Sequence, residues 1–347
     1  AALSGDQMNL GVDIADAAEL AAMDFGGSIK GHPIQVMRLD DGCTDPEKAV
    51  SVARSFIRQT GIAGVIGPMC TTGGQAANSV YEAAAIPHIS PSTTRSEISG
   101  QHERYFFRTA WRDDVQSQTQ VRFARDGLSA ASAFIVDDGD PYGRGLADSF
   151  SEQFEARGGR VLLRERIERT TTDFSALGRQ VLSAAPSIVV YEGFNPAGAL
   201  IVKALRDAGY TGAFIGPDGL LSARDFLPTA GPQGEGAFLT GGASPDAAFV
   251  TRFQEKFGRL PGTPFVLQAH DATTALLKAL DSSVSTDASG GAKFDRSTLA
   301  ETLHAQRFDG MTGVISFDDN GDRRGETARE LGLTIYRVTN GAFQPIE

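Results

Sequence analysis

The chain is 347 residues long, 41% hydrophobic and 22% charged, with a net charge of −11 at pH 7. That length exceeds what one hydrophobic core usually serves and points to two domains of ordinary globular composition. The acidic balance excludes a phosphate-backbone partner, since even the arginine-rich stretch Arg160, Arg164, Arg166 and Arg169 is interrupted by Glu165 and Glu168; no nucleic acid is expected.

No apolar run reaches the roughly 18 residues of a membrane-spanning helix. Residues 1–6 show no basic and apolar leader, as a mature form with its leader removed also would not.

Helical periodicity appears first at 15–23, followed by a strand-like run at 34–39 and a helix at 46–59, with Thr44 or Asp45 as cap and Pro46 at an early position. Strand-like runs at 62–66 and 86–89 follow, each leading into a hydroxyl-rich turn: Met69-Cys70-Thr71-Thr72-Gly73-Gly74 before a helix at 75–84, and Ser90-Pro91-Ser92-Thr93-Thr94. Such a turn presents Ser/Thr oxygens and backbone N–H groups at the positive end of a helix, which suits a carboxylate. On successive parallel strands two such turns would lie side by side at the sheet's carboxyl edge, where open α/β sheets bind ligands. Ser and Thr are also ordinary N-caps, so either reading fits one turn alone.

A break at 109–114 precedes helices at 115–125, 143–155, 174–184 and 197–208, which alternate with apolar strands at 133–136, 160–163, 188–191 and 213–215. Short continuous apolar strands alternating with helices predict parallel sheets covered on both faces. A second break at 240–245 precedes helices at 247–257, 270–280 and 297–304 without a new set of strands, as if the chain returns to complete its first domain. A third break at 318–322 leads to one closing strand at 333–338.

The two cysteines, Cys43 and Cys70, each lie just beyond a strand-like run. A bridge across a loop of about 27 residues would contribute roughly 3 kcal/mol and imply an oxidising compartment; two free buried thiols fit the spacing equally.

Enzymatic signatures are absent: no phosphate loop, dinucleotide fingerprint, nucleophile elbow or zinc-protease motif occurs. His32, His88, His102, His270 and His304 lack metal-ligand spacing, so no metal or cofactor is expected. A Cys70–His88 nucleophile pair lacks any marked base-orienting group. Asp40-Asp41 and Asp137-Asp138 end strands and read most simply as solvated acids.

The chain resembles the type I periplasmic substrate-binding proteins of ABC importers, the leucine/isoleucine/valine-binding group. The likeness spans nearly the whole sequence, through the stretches at 26–31 (GGSIKG), 40–50 (DDGCTDPEKAV), 65–70 (VIGPMC), 107–109 (FRT), 140–145 (DPYGRG), 216–219 (GPDG) and 313–318 (GVISFD).

The resemblance implies an α/β fold of two doubly wound parallel-sheet lobes joined by three crossovers, 1–113 plus 243–320 and 114–242 plus 321–347, with a Cys43–Cys70 disulfide. It implies a non-enzymatic, monomeric periplasmic or extracytoplasmic receptor that closes on an amino acid and delivers it to a membrane permease. A sensory module of the same fold and an α/β enzyme using cleft carboxylates are the alternatives.

Thr71 stands where the family binds the ligand's α-carboxylate, beside Met69 in the same turn. Ser92 and Thr94 stand at the following turn's two contact positions. Asp218 matches the acid that pairs with the α-ammonium, and Tyr142 the aromatic that closes over the ligand. Phe194 replaces a frequent Tyr, Asp218 is shorter than the Glu of leucine binders, and Ser4 stands at an aromatic lid position. Trp111 and Phe265 are expected as aromatic walls, Trp111 equally as hinge packing. The side-chain preference is therefore left open, from branched-chain to larger, polar or amide-like ligands. The family also begins with a strand inside the first lobe's sheet, which lies before the residues present; either upstream residues or another segment is expected to fill that place.

Overall fold

A computed structural model describes residues 1–59, 61–100 and 103–346; Thr60, Gln101, His102 and Glu347 lie outside the described residues. The chain divides into two units. One comprises Ala1–Trp111, Ala243–Pro261 and Phe265–Gly332, the other Arg112–Gly242, Gly262–Pro264 and Leu333–Glu347.

In the first unit, helix Met8–Asp24 packs on helix Val266–Ser283, and Pro46–Ile57 packs on Thr71–Ala83. Asp45 caps the second of these, its carboxylate accepting the Lys48 N–H at 3.0 Å with Pro46 in the first turn, where a missing N–H costs nothing. Between the helix pairs lie three parallel strands, Val65–Ile66, His88–Ser90 and Phe106–Arg108. Ile89 and Phe107 from the sheet meet Leu276, Leu299, Leu303 and Phe317 in one core.

Residues 34–39 depart from expectation. Their apolar alternation is strand-like, but they form no strand, because among the described residues their backbone is met only at its two ends, by the Gly27 carbonyl at the Ile34 N–H and by a rung at Ala1.

The third boundary also differs, at Gly332–Leu333 rather than 320/321. Arg108, fully buried, pairs with Asp322 at 2.5 Å, and Arg323 donates to the Thr109 carbonyl and the Thr312 hydroxyl, so residues 321–332 are tied to the first unit. The three residues Gly262–Pro264 belong to the second unit, a short excursion that the sequence did not mark.

The second unit is one seven-stranded sheet in the order Ala342–Pro345, Leu333–Thr339, Phe238–Gly242, Ala213–Gly216, Ile188–Glu192, Ser132–Asp137, Arg160–Arg166. The last five run parallel, as expected, and Leu333–Thr339 pairs antiparallel with Phe238–Gly242 and with Ala342–Pro345 at one edge. The terminal hairpin turns on Asn340 and Gly341, both at positive φ, the left-handed pair a tight hairpin requires. Central strands such as Ile188–Glu192 are buried throughout. The edge strand Arg160–Arg166 carries exposed charges that discourage further pairing.

Candidate functional site

In the first unit both hydroxyl-rich turns follow neighbouring parallel strands. The glycines of Thr71-Thr72-Gly73-Gly74 let the first helical turn approach its surroundings: a Cβ on Gly73 would lie 3.3 Å from the Cys43 carbonyl, and one on Gly74 3.3 Å from Thr93. The Cys43–Cys70 disulfide anchors the start of this helix.

Three hydroxyls are used within the turns. Ser90 Oγ donates to the Pro68 carbonyl at 2.6 Å and accepts the Thr93 N–H at 2.9 Å; Thr93 Oγ1 donates to the same carbonyl at 3.0 Å, and Ser92 Oγ to the Met69 carbonyl at 2.7 Å. Ser92 therefore spends its proton on the neighbouring turn and offers outward only lone pairs. Met69 is buried, its sulfur accepting the Ala2 N–H at 3.0 Å, which gives it a packing role. The hydroxyls of Thr71 and Thr94 are buried without a hydrogen-bond partner among the described residues. Buried polar atoms left so are costly, and each has a proton to donate.

Trp111 is the last residue of the first unit's opening segment and stacks on Phe265 at 5.1 Å, both fully buried. Ser4 is exposed and donates to Asp40 at 2.5 Å.

In the second unit Asp140 caps helix Pro141–Ala156, and its carboxylate accepts the Tyr142 N–H at 3.0 Å. That fixes Tyr142, whose hydroxyl donates to Asp218 at 2.8 Å and accepts the Gly219 N–H at 3.2 Å, and whose ring lies 4.8 Å from that of Phe194. Asp218 follows strand Ala213–Gly216, next in the sheet to Ile188–Glu192. Tyr142, Phe194 and Asp218 thus form one cluster at the carboxyl edge of a parallel sheet, where such sheets bind ligands.

The electrostatics of this cluster are one-sided. Burial pushes the Asp218 carboxyl up to about 6, partly offset by hydrogen bonds from Tyr142 and Gln116. Glu192 is fully buried and held well above the usual carboxylate range, first by burial and then by Asp113 and Asp218; the Tyr142 phenol is raised by burial and by Asp218. Among the described residues no arginine or lysine pairs with Asp218 or Glu192. The neighbouring cation, Arg169, lies over the Phe194 ring at 5.1 Å and 3.7 Å from Asp138 instead.

Glu192, Asp113 and Gln116 were missed by the sequence reading. Glu192 had a visible signal, an acid ending an otherwise apolar buried strand, two residues before Phe194.

The Cys70–His88 pair has no free nucleophile. Cys70 is in the disulfide, and His88, buried between the rings of Tyr81 and Phe106, is pushed down to about 4 by burial. The strand-end acids are paired rather than solvated: Asp137 with Arg164 and Arg166, Asp41 with the terminal amine, Asp40 with Lys48, and Asp138 3.7 Å from Arg169. Among the described residues no group of three His, Cys, Asp or Glu side chains could hold a metal.

A chain that passes between two α/β units five times, two of them around the short excursion Gly262–Pro264, with hydroxyl-bearing turns in one unit and buried acids in the other, defines a two-unit ligand-binding protein. The periplasmic binding protein family model matches residues 1–342, and the chain belongs to that family. It is 27% identical over 337 residues to the leucine-, isoleucine-, valine-, threonine- and alanine-binding protein of Pseudomonas aeruginosa, covering 96% of this chain and 85% of that one. A leucine binding protein from Thermotoga maritima shares its fold with a TM-score of 0.88 at 24% identity, over 100% of this chain and 96% of that one. So does a Rhodopseudomonas palustris ABC-transporter solute binding protein in complex with 4-hydroxybenzoate, with a TM-score of 0.86 at 19% identity, over 100% and 94%.

Proposed function

We propose that the protein is an extracytoplasmic receptor that captures a small amino acid or amino-acid-like zwitterion and hands it to the permease of an ABC importer. The hydroxyls of Thr71 and Thr94 donate to the ligand carboxylate, with the Ser92 oxygen as an acceptor beside them. Asp218, oriented by Tyr142, takes the ammonium, and Phe194 offers an aromatic face without the hydroxyl of a Tyr. Each charge-assisted bond contributes roughly 1.5–3 kcal/mol.

The observation that carries this reading is Asp218. It is a buried carboxyl, held by Tyr142 at 2.8 Å, with no cationic side chain paired to it among the described residues. Buried carboxylates without a counter-charge are expensive, and a ligand ammonium supplies the missing one. An aromatic acid such as the 4-hydroxybenzoate of the R. palustris relative would leave that charge unanswered. The amino-acid specificity of the P. aeruginosa relative fits it better.

The test is a thermal-shift screen over amino acids, their amides and benzoates, followed by calorimetry and by analysis of the ligand after incubation. Saturable binding of an α-amino acid with the ligand recovered intact is expected. Tighter binding of benzoates, or turnover of the ligand, overturns the proposal.

A further inference from the structure

We propose that the buried acids of the second unit receive two ligand cations, so that the amino acid captured is dibasic, its side-chain nitrogen going to Glu192. This rests on the reading that Asp218 takes the ligand's α-ammonium, and it adds a second polar contact that decides between side chains.

The carboxyl of Glu192 carries the argument. It ends a strand otherwise built of Ile188, Val189, Val190 and Tyr191, and it is 0% exposed. Strand alternation places it on the face of Val190, which packs with Val121 of helix Asp113–Arg122 and Phe150 of helix Pro141–Ala156. Neither of its carboxyl oxygens has a hydrogen-bond partner among the described residues. Gln120 faces it from beyond hydrogen-bonding distance, its amide donating to Thr240 Oγ1 at 3.3 Å. A fully buried acid left so is costly, as are the Thr71 and Thr94 hydroxyls, and a bound partner removes that cost.

The surroundings say what the partner is. Burial first, then Asp113 and Asp218, and last Asp138, hold the Glu192 carboxyl above the usual carboxylate range. Its charged neighbours are thus acids, and one α-ammonium answers Asp218 alone. Among the described residues no group of His, Cys, Asp and Glu could hold a metal ion, so the cation that suits these acids is organic.

Geometry sets the spacing of the two nitrogens. Val190 and Ile215 pair on neighbouring parallel strands; Glu192 stands two residues beyond the first, Asp218 three beyond the second. Such strands lie about 4.8 Å apart, which suits nitrogens joined by a short aliphatic chain. Both acids adjoin Tyr142: its hydroxyl donates to Asp218 at 2.8 Å, and Glu192 helps to raise the same phenol. The rings of Tyr142 and Phe194, 4.8 Å apart, offer an apolar surface to the methylenes between the charges.

The experiment compares L-ornithine with L-norleucine, its isostere with a methyl group in place of the side-chain ammonium. Calorimetry at pH 7 in buffers of different ionisation heat gives the dissociation constant and the protons exchanged, for the protein and for Glu192→Gln.

Ornithine is expected to bind at least tenfold more tightly than norleucine. Its second ammonium lowers the raised Glu192 carboxyl, so binding should release up to about one more proton to the buffer than norleucine does. Glu192→Gln should make the two affinities roughly equal and remove the additional proton. A merely structural Glu192 would shift both ligands alike and leave the proton difference in place, which overturns the proposal. Norleucine binding as tightly as ornithine overturns it too, while leaving the role of Asp218 intact. Binding of neither ligand overturns both. Should the variant fail to fold in a thermal melt, the wild-type comparison decides alone, and equal proton release by the two ligands counts against the proposal.

Discussion

Replacing Asp218 with Asn separates a binding carboxyl from a structural one. The substitution keeps the volume and an oxygen that can accept from Tyr142, and removes the charge. If Asp218 meets the ligand ammonium, the loss is that of a charge-assisted hydrogen bond, about 1.5–3 kcal/mol, or roughly 10- to 150-fold in Kd. The ligand-free protein should respond in the opposite sense. A carboxyl at about 6 in the folded state, against 3.8 unfolded, costs the free protein about 3 kcal/mol at neutral pH. The sign follows from proton uptake: the folded state holds its proton more tightly, so the penalty is absent below pH 3.8, grows between 3.8 and 6, and is constant above 6.

Asp218→Asn should therefore raise the melting temperature of the free protein at pH 7, leave it nearly unchanged at pH 4, and weaken amino-acid binding at least tenfold. Calorimetry and scanning calorimetry at the two pH values read all three. An unchanged Kd would remove the ammonium-binding role. A fall in the free protein's melting temperature at pH 7 would show that Asp218 holds the fold, and the binding argument would fail with it.

The remaining expectations are briefer. Affinity for a zwitterionic amino acid should fall roughly tenfold from pH 7 to pH 5 as Asp218 takes up its proton, and Asp218→Asn should abolish that dependence in titrations across this range. Glu192→Gln should leave the free protein at least as stable at pH 7, because burial first and then Asp113 and Asp218 disfavour the Glu192 carboxylate; a lowered denaturant midpoint would refute this. Reducing the Cys43–Cys70 bridge should cost roughly 3 kcal/mol of stability without abolishing binding, and thiol titration of oxidised protein should find no free cysteine. Asp322→Ala strands the buried Arg108 guanidinium and should destabilise the first unit by roughly 3–5 kcal/mol, visible as a lowered urea midpoint.

The fold was legible where one chemistry repeats along the chain. Apolar strands such as Ile188–Glu192 alternating with amphipathic helices allow little besides a parallel sheet covered on both faces, and hydroxyl turns after strands can be read from order alone. What escaped depends on residues far apart in sequence. The third boundary was placed twelve residues early because the break at 318–322 looks like a linker. What holds 321–332 to the first unit is Arg108 reaching Asp322 across 214 positions, and no local pattern reports such a partner.

Residues 34–39 show the converse. Their pattern is that of a strand, but a strand exists only with a neighbour, and pattern carries no information about whether one is present. The candidate site divides in the same way. Thr71, Ser92, Thr94, Tyr142 and Asp218 could be picked out as residue types at strand ends. That Ser92 spends its proton on Met69, that burial raises the Asp218 carboxyl, and that Asp113 and Asp218 crowd Glu192 are properties of the packed cluster alone. In the proposed function, this surplus of buried acid, more than any single residue, is what the ligand ammonium answers.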